Sequence, residues 1–163
     1  MMMAAVTILG IGNRLWADEG FGPSVIDRLT ADGLLPAEVE ALDGGTLGLY
    51  LLPCIQQARR LLVFDAVDFG HAPGEIVVLR DGEIPAFFGQ RPLSLHQTGF
   101  TDVLAAAELT GAVPDMITLI GVQPESIDEW GGSLTHTVAA AIPHAIALGL
   151  AELSAWQTEG KPQ

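Results

Sequence analysis

The stretch Ala5-Val6-Thr7-Ile8-Leu9-Gly10-Ile11-Gly12-Asn13-Arg14-Leu15-Trp16-Ala17-Asp18-Glu19-Gly20-Phe21-Gly22 decides the fold. Residues 5–9 form a short apolar run stopped by two glycines, the pattern of a buried strand that runs into a turn. Beyond the turn, Phe21, Val25, Ile26 and Leu29 recur at helical spacing. Pro23 falls in the first turn of that helix, where its missing N–H costs nothing. A strand, a glycine turn and a helix make the opening unit of an α/β domain.

The rest of the chain continues the alternation. Residues 39–42 read as a short second strand, stopped by Asp43-Gly44-Gly45-Thr46. Thr46 can cap a helix over about 47–58, which Pro53 should kink or interrupt. Arg60–Ala66 is a continuous apolar strand, so it should be covered on both faces. Residues 75–79 form another strand between the turns Ala72-Pro73-Gly74 and Arg80-Asp81-Gly82. An Ala-rich helix over 101–109 precedes a fifth strand, Met116–Val122. The final helix, about 134–156, carries Pro143 as a kink. Strands alternating with helices predict an α/β fold in three layers: a twisted, mostly parallel five-stranded sheet with helices on both faces. With 163 residues and no repeat or linker, a single domain spanning 1–163 is expected.

Composition narrows the function. Seven basic against twenty acidic residues give a net charge of −13, which argues against binding nucleic acid, since that affinity comes from Lys and Arg on phosphates. The same charge suits a soluble protein that attracts cations or a basic peptide, and a monomer is expected. No apolar run in the sequence approaches the roughly 20 residues that cross a bilayer, so no membrane insertion is expected. The apolar N-terminus lacks the basic region and cleavage site of a signal peptide, which predicts a cytoplasmic protein. Cys54 is the single cysteine, so an intrachain disulfide or a thiolate metal cage is excluded. It reads as a buried structural thiol.

Three candidate metal-binding side chains lie in separate turns: Glu19, Asp65 at the end of Leu61-Leu62-Val63-Phe64-Asp65-Ala66, and His96 in Ser94-Leu95-His96-Gln97. In an open parallel sheet such positions gather on one edge, where ligand crevices form. Two carboxylates and an imidazole there suit a divalent first-row metal with open coordination positions. Each has a plainer reading as well. Asp18 and Glu19 complement the dipole of the following helix, Asp65 can cap a turn, and His96 can be a polar turn residue. A carboxylate ending a buried strand is nevertheless costly unless paired, hydrogen-bonded or metal-bound. Asp43 is either a simple turn residue or a site residue that orients a ligand or acts as a general base on water. His71 reads as a solvated loop residue, and His136 and His144, eight apart on the last helix, as structural.

Other chemistries lack their motifs. Leu15 stands where the dinucleotide fingerprint G-x-G-x-x-G needs its third glycine, and Asp18 and Glu19 would repel phosphate from the helix start. Neither H-E-x-x-H nor G-x-S-x-G occurs.

Taken together, Gly10-x-Gly12-Asn13 with Asp18-Glu19-Gly20-x-Gly22, Asp43-Gly44-Gly45-Thr46, Asp65-Ala66, Ser94-Leu95-His96-Gln97 and Gly121-Val122-Gln123-Pro124 resemble the hydrogenase maturation endopeptidases. Trp16-Ala17-Asp18-Glu19-Gly20-Phe21-Gly22 and Trp130-Gly131-Gly132-Ser133-Leu134 look most like the branch serving membrane-bound uptake hydrogenases. The resemblance implies a twisted sheet between helical layers and places the family's metal-site residues on Glu19, Asp65 and His96. It implies an endopeptidase that removes the C-terminal extension of the nickel-loaded large-subunit precursor of a nickel–iron hydrogenase. The nickel would be presented by the substrate, with zinc or cadmium able to occupy the site in vitro. The partner is then the hydrogenase large-subunit precursor. The resemblance does not assign the attacking group, and Asp43 is the candidate catalytic residue from its own place at a strand end. The rival reading is a nickel-binding chaperone that senses or delivers metal without cutting. A nucleosidase or phosphorylase on a similar sheet is a weaker third, since no basic phosphate pocket is evident.

Overall fold

Five strands form one sheet in the order β2-β1-β3-β5-β4 in the computed structural model, which describes residues 6–89 and 98–159. The strands are β1 Val6–Ile11, β2 Val39–Gly45, β3 Arg60–Ala66, β4 Ile76–Arg80 and β5 Met116–Val122. All neighbours pair in parallel except β4, which runs antiparallel to β5 at one edge. The helices are α1 Phe21–Ala31, α2 Leu52–Gln57, α3 Glu83–Gly89, α4 Thr98–Thr110 and α5 His136–Glu159. The expected three-layer α/β architecture is therefore present.

The pleat divides the sheet's side chains between two cores. Ile8, Leu62, Phe64, Ile120 and Val122 face α1 and α5. Leu9, Leu61, Val63 and Leu119 face α2, α3 and α4. Paired residues of parallel strands share a face, so the register carries this assignment along each row. β3 and β5 are apolar at nearly every position because both of their faces are covered.

Boundaries shifted where glycine or proline was read as a stop. β2 runs through Asp43 and Gly44 to Gly45, held by continued pairing to β1 across a bulge at Gly10/Ile11. The helix expected over 47–58 splits into a 3-10 turn, Gly48–Leu51, and α2, with Pro53 in the first turn of α2. Thr46 does not cap it: neither piece has a side-chain N-cap bond. α3 was not anticipated, because its seven residues are too few for a periodic signal. α5 continues across Pro143 as one 24-residue element. It is also apolar enough over 18 residues, at mean hydropathy 1.5, to pass as a membrane span by length and composition. That corrects the expectation that no such segment exists. Its buried positions Val138, Ala141, Ile142, Ala145, Ile146, Gly149, Leu153 and Trp156 repeat every three or four residues and pack on the sheet, as a core helix does.

Candidate active site

Because β1, β2, β3 and β5 point the same way, the turns that follow them meet at one edge of the sheet, here called the carboxyl edge. Glu19 is brought there by glycine. Gly12 has φ +141°, and a Cβ on it would lie 1.9 Å from the backbone oxygen of Glu19. At Gly22 a Cβ would lie 2.3 Å from the Ile11 oxygen and 2.5 Å from the Phe64 oxygen. No side chain fits at either place, so the start of α1 sits backbone-to-backbone on the ends of β1 and β3.

This approach sets Glu19 beside Asp65, the penultimate residue of β3. Asp65 pairs with Gly121 and so points to the face of α2, α3 and α4. Its carboxyl is pushed well above the ordinary carboxylate range, chiefly by burial and further by the like charge of Glu19, while the amide of Ala66 opposes the shift. Two acids brought together in this way raise the cost of keeping both ionised, and a bound cation removes that cost. The donor set therefore fits a metal ion. His96, the third expected ligand, lies outside the described residues. Among the described residues no group of three His, Cys, Asp or Glu is arranged around a common point.

Asp43 reaches the same edge on the opposite face. It pairs with Gly10, whose missing side chain faces α1. Its Oδ2 accepts bonds from Arg14 Nε at 3.0 Å and Nη2 at 2.7 Å, and its Oδ1 accepts the Gly45 N–H at 2.9 Å. Arg14 also pairs with Asp27 of α1 at 2.6 Å. Arg14 thus ties the first turn to both α1 and β2, an arrangement not foreseen from the sequence. The guanidinium holds the Asp27 carboxyl below its usual range, and the two acids hold Arg14 in its charged form.

Asp18 has a structural role, but not the helix-dipole one. It is fully buried. Its carboxylate accepts the N–H groups of Glu125 and Ser126 at 2.9 Å and of Thr135 at 2.8 Å, together with the Thr135 hydroxyl at 3.0 Å. It ties the turn before α1 to the loop that leaves β5. The neighbouring Ala17 is held at φ +43°, a strained value for alanine that these bonds help to maintain. No local signal marks such a partner more than a hundred residues away.

The remaining candidates separate by environment. His71 sits in an exposed loop as expected and pairs with Glu75 at 3.0 Å. His136 and His144 are exposed on α5 rather than structural, because α5 turns those positions away from the sheet. Cys54 is half-buried rather than buried, since α2 leaves it on the wall of a cleft of about 320 Å³ that it shares with Thr7, Glu40, Leu42 and Tyr50. Burial, with the nearby charge of Glu40, pushes its thiol up and keeps it protonated.

Two partly buried acids at the carboxyl edge, beside a glycine-locked turn, make a candidate active site, and comparison with known proteins says which family it belongs to. Residues 23–152 match the hydrogenase maturation protease family. The chain belongs to that family. It is 54% identical over 154 residues to the hydrogenase expression/formation protein HupD of Rhodobacter capsulatus, covering 94% of this chain and 73% of the relative. It is 42% identical over 159 residues to the hydrogenase 2 maturation protease of Escherichia coli K12, covering 97% and 96%. The hydrogenase maturating endopeptidase HybD of E. coli superposes with a TM-score of 0.83 at 40% identity, over 95% of this chain and 93% of that one. As a family member the chain is an endopeptidase of hydrogenase maturation, and the relationship favours this over a non-cutting nickel chaperone.

Proposed function

We propose that this protein removes the C-terminal extension of the nickel-loaded large-subunit precursor of a nickel–iron hydrogenase. The Glu19–Asp65 pair carries the reading: two acids drawn together on the carboxyl edge of a hydrogenase maturation protease are a seat for a cation. In this proposal Glu19, Asp65 and His96 are added ligands to nickel that the precursor already holds, so nickel belongs to the substrate. Zinc or cadmium can replace it in vitro, both accepting mixed oxygen and nitrogen donors. The protein acts in the cytoplasm as a monomer, without nucleic acid and without entering a membrane.

The three ligands fix the precursor's tail in register, which raises the effective concentration of the scissile bond at the attacking group. Nickel bound between them supplies recognition and, where it touches the carbonyl, Lewis acidity. Asp43 is the proposed catalytic residue. Arg14 holds Oδ2 and the Gly45 N–H holds Oδ1, so a base role falls to Oδ1 while the Arg14 pair orients the turn. The test is to mix the protein with precursor prepared with and without nickel, free nickel being kept low, and to weigh the products. Only the nickel-loaded form should lose its extension. Equal cleavage of both forms overturns the nickel checkpoint, and cleavage of neither overturns the protease assignment.

A further inference from the structure

We propose that the carboxyl edge carries a docking surface for the folded body of the protein substrate, built from two apolar lips: Leu15 with Trp130, and Leu47 with Leu49 and Tyr50. This rests on the proteolytic reading above and goes beyond it, because it places binding outside the metal seat and outside the cleaved tail.

The described residues include eight large apolar side chains left exposed to solvent. Four of them stand in turns at the carboxyl edge, and Tyr50, in the same turn as Leu47 and Leu49, borders the adjoining cleft over Thr7, Glu40 and Leu42. The three others, Leu34, Leu109 and Val113, lie in or beside the connections that enter β2 and β5 at the opposite edge. Tyr50 is 88% exposed and Trp130 is 66% exposed. Single exposed apolar residues need no explanation, but a concentration beside a candidate site does. Tyrosine and tryptophan are also the side chains that anchor protein interfaces most often.

Both lips are held from below, so their exposure does not come from a loose loop. Trp130 forms an isolated bridge with Trp16, and their rings meet edge to face at 5.2 Å. The Gly131 N–H bonds the Leu15 oxygen at 2.6 Å, and Asp18 secures the same loop at Glu125, Ser126 and Thr135. In the other lip, Leu47 N–H bonds the Gly44 oxygen and Tyr50 N–H bonds the Leu47 oxygen, both at 3.1 Å, while Leu51 is buried beneath. Preformed anchors lose little freedom on binding, which is where affinity is otherwise lost.

The occupant is a protein, for three reasons. The lips rise from the turns that carry Glu19 and follow Asp43, so they are continuous with the site where a protein chain is cut. The turns after β1, β2 and β5 reach across three strand spacings, roughly 14 Å, which is wider than one extended peptide. The charge excludes anionic partners: the net charge is −13, and the loop holding Trp130 bears Glu125, Asp128 and Glu129 with no Lys or Arg. Nucleic acid and anionic lipid would be repelled, whereas an apolar patch bordered by basic residues would be drawn in. The contact surface on the large subunit should have that composition.

The experiment measures the Kd of the full-length protein for purified large-subunit precursor by calorimetry, with cleavage of the same samples followed by mass. Leu49→Ser with Tyr50→Ser should weaken binding at least tenfold, and Trp130→Ser should do the same from the other lip. Leu109→Ser, equally exposed on the opposite edge, should leave Kd unchanged. Thermal unfolding checks that each variant is folded, and the Leu49/Tyr50 variant decides the matter if loss of the Trp16 contact unfolds Trp130→Ser. Equal Kd values for the lip variants and Leu109→Ser, or no binding by the wild type, overturn the proposal. Wild-type binding with no cleavage would instead remove the proteolytic reading and leave the docking surface standing.

Discussion

The two edges of the sheet use the same residue types for different ends. At the amino edge, Gly33 has φ +61° and Gly111 has φ +72°, and a Cβ at either would meet nothing within 4 Å. These glycines close helices, and only their backbone angle is constrained. At the carboxyl edge, Gly12 and Gly22 exist because backbone oxygens occupy the space a side chain would fill. Acids differ in the same way. Asp115, away from the carboxyl edge, is a solvated partner of Arg59. Asp18 and Asp65 at the carboxyl edge are withdrawn from water, one saturated with donors and the other set against a second acid. One edge is built to turn the chain, the other to hold costly groups in place.

The sharpest way to break this contrast is to add one methyl group at each edge. Gly22→Ala forces a Cβ into two backbone oxygens, which overpacks without an escape route. The expected loss is about 3 kcal/mol or more, enough to leave much of the protein unfolded in a urea titration. Gly111→Ala meets open space and bears only the left-handed backbone penalty, about 1–2 kcal/mol. Similar losses at both positions would show that the close approach seen at Gly22 does not govern stability.

The two buried acids sharpen it further. Asp18→Ala leaves the amides of Glu125, Ser126 and Thr135 without their acceptor, at an expected cost of about 3 kcal/mol. Hydrogen exchange should rise first in the loop after β5. Asp65→Asn removes a charge that burial and Glu19 both oppose, so the fold should be no less stable than wild type. Cleavage of the nickel-loaded precursor should nevertheless fall at least a hundredfold, about 2.7 kcal/mol. An Asp65→Asn variant that cuts normally would return Asp65 to the status of a strand-end residue.

The smallest effect belongs to a pair away from the carboxyl edge. Glu152 of α5 accepts bonds from Arg80 of β4 and from the buried Thr118 hydroxyl. Arg80 holds its carboxyl below the usual 4.5, against the opposing effect of burial. A lowered folded value means that the contribution is complete above pH 4.5 and disappears as the pH falls through the folded value. Arg80 is half exposed, so solvent limits the pair to about 0.5–1 kcal/mol. Glu152→Gln should flatten that part of the acid limb in thermal unfolding scans and leave cleavage untouched.

Much of the fold was legible because burial writes a periodic pattern. β3 and β5 could be read residue for residue, their bounds set by apolar runs that turn polar at both ends. β2 was cut short at Leu42 because Asp43-Gly44-Gly45 has the composition of a turn. Pairing with β1 carries it on as strand, and pairing is a long-range fact. The α2 region was overextended for a similar reason, since its apolar residues suit both a 3-10 turn and a helix. Within the site, Glu19 and Asp65 could be named from their positions at element ends. The Asp18 bonds and the Arg14 pairs could not, because their partners lie 13 to 117 residues away in the chain.

The sequence by itself determined the α/β alternation, the parallel sheet and the family of the chain. Those follow from hydrophobic periodicity, from glycines at fixed offsets and from an ordered set of short motifs. Only the tertiary structure decided which face each acid occupies. Asp43 and Asp65 end neighbouring parts of the same edge, yet the register turns one toward α1 and Arg14 and the other toward Glu19. It also decided that Asp18 is a clamp while Glu19, next to it, lies close enough to Asp65 to raise that carboxyl. Adjacent residues share a local sequence but not a direction, and direction is set by the backbone contacts of Gly12 and Gly22 with strands that the local sequence does not contain.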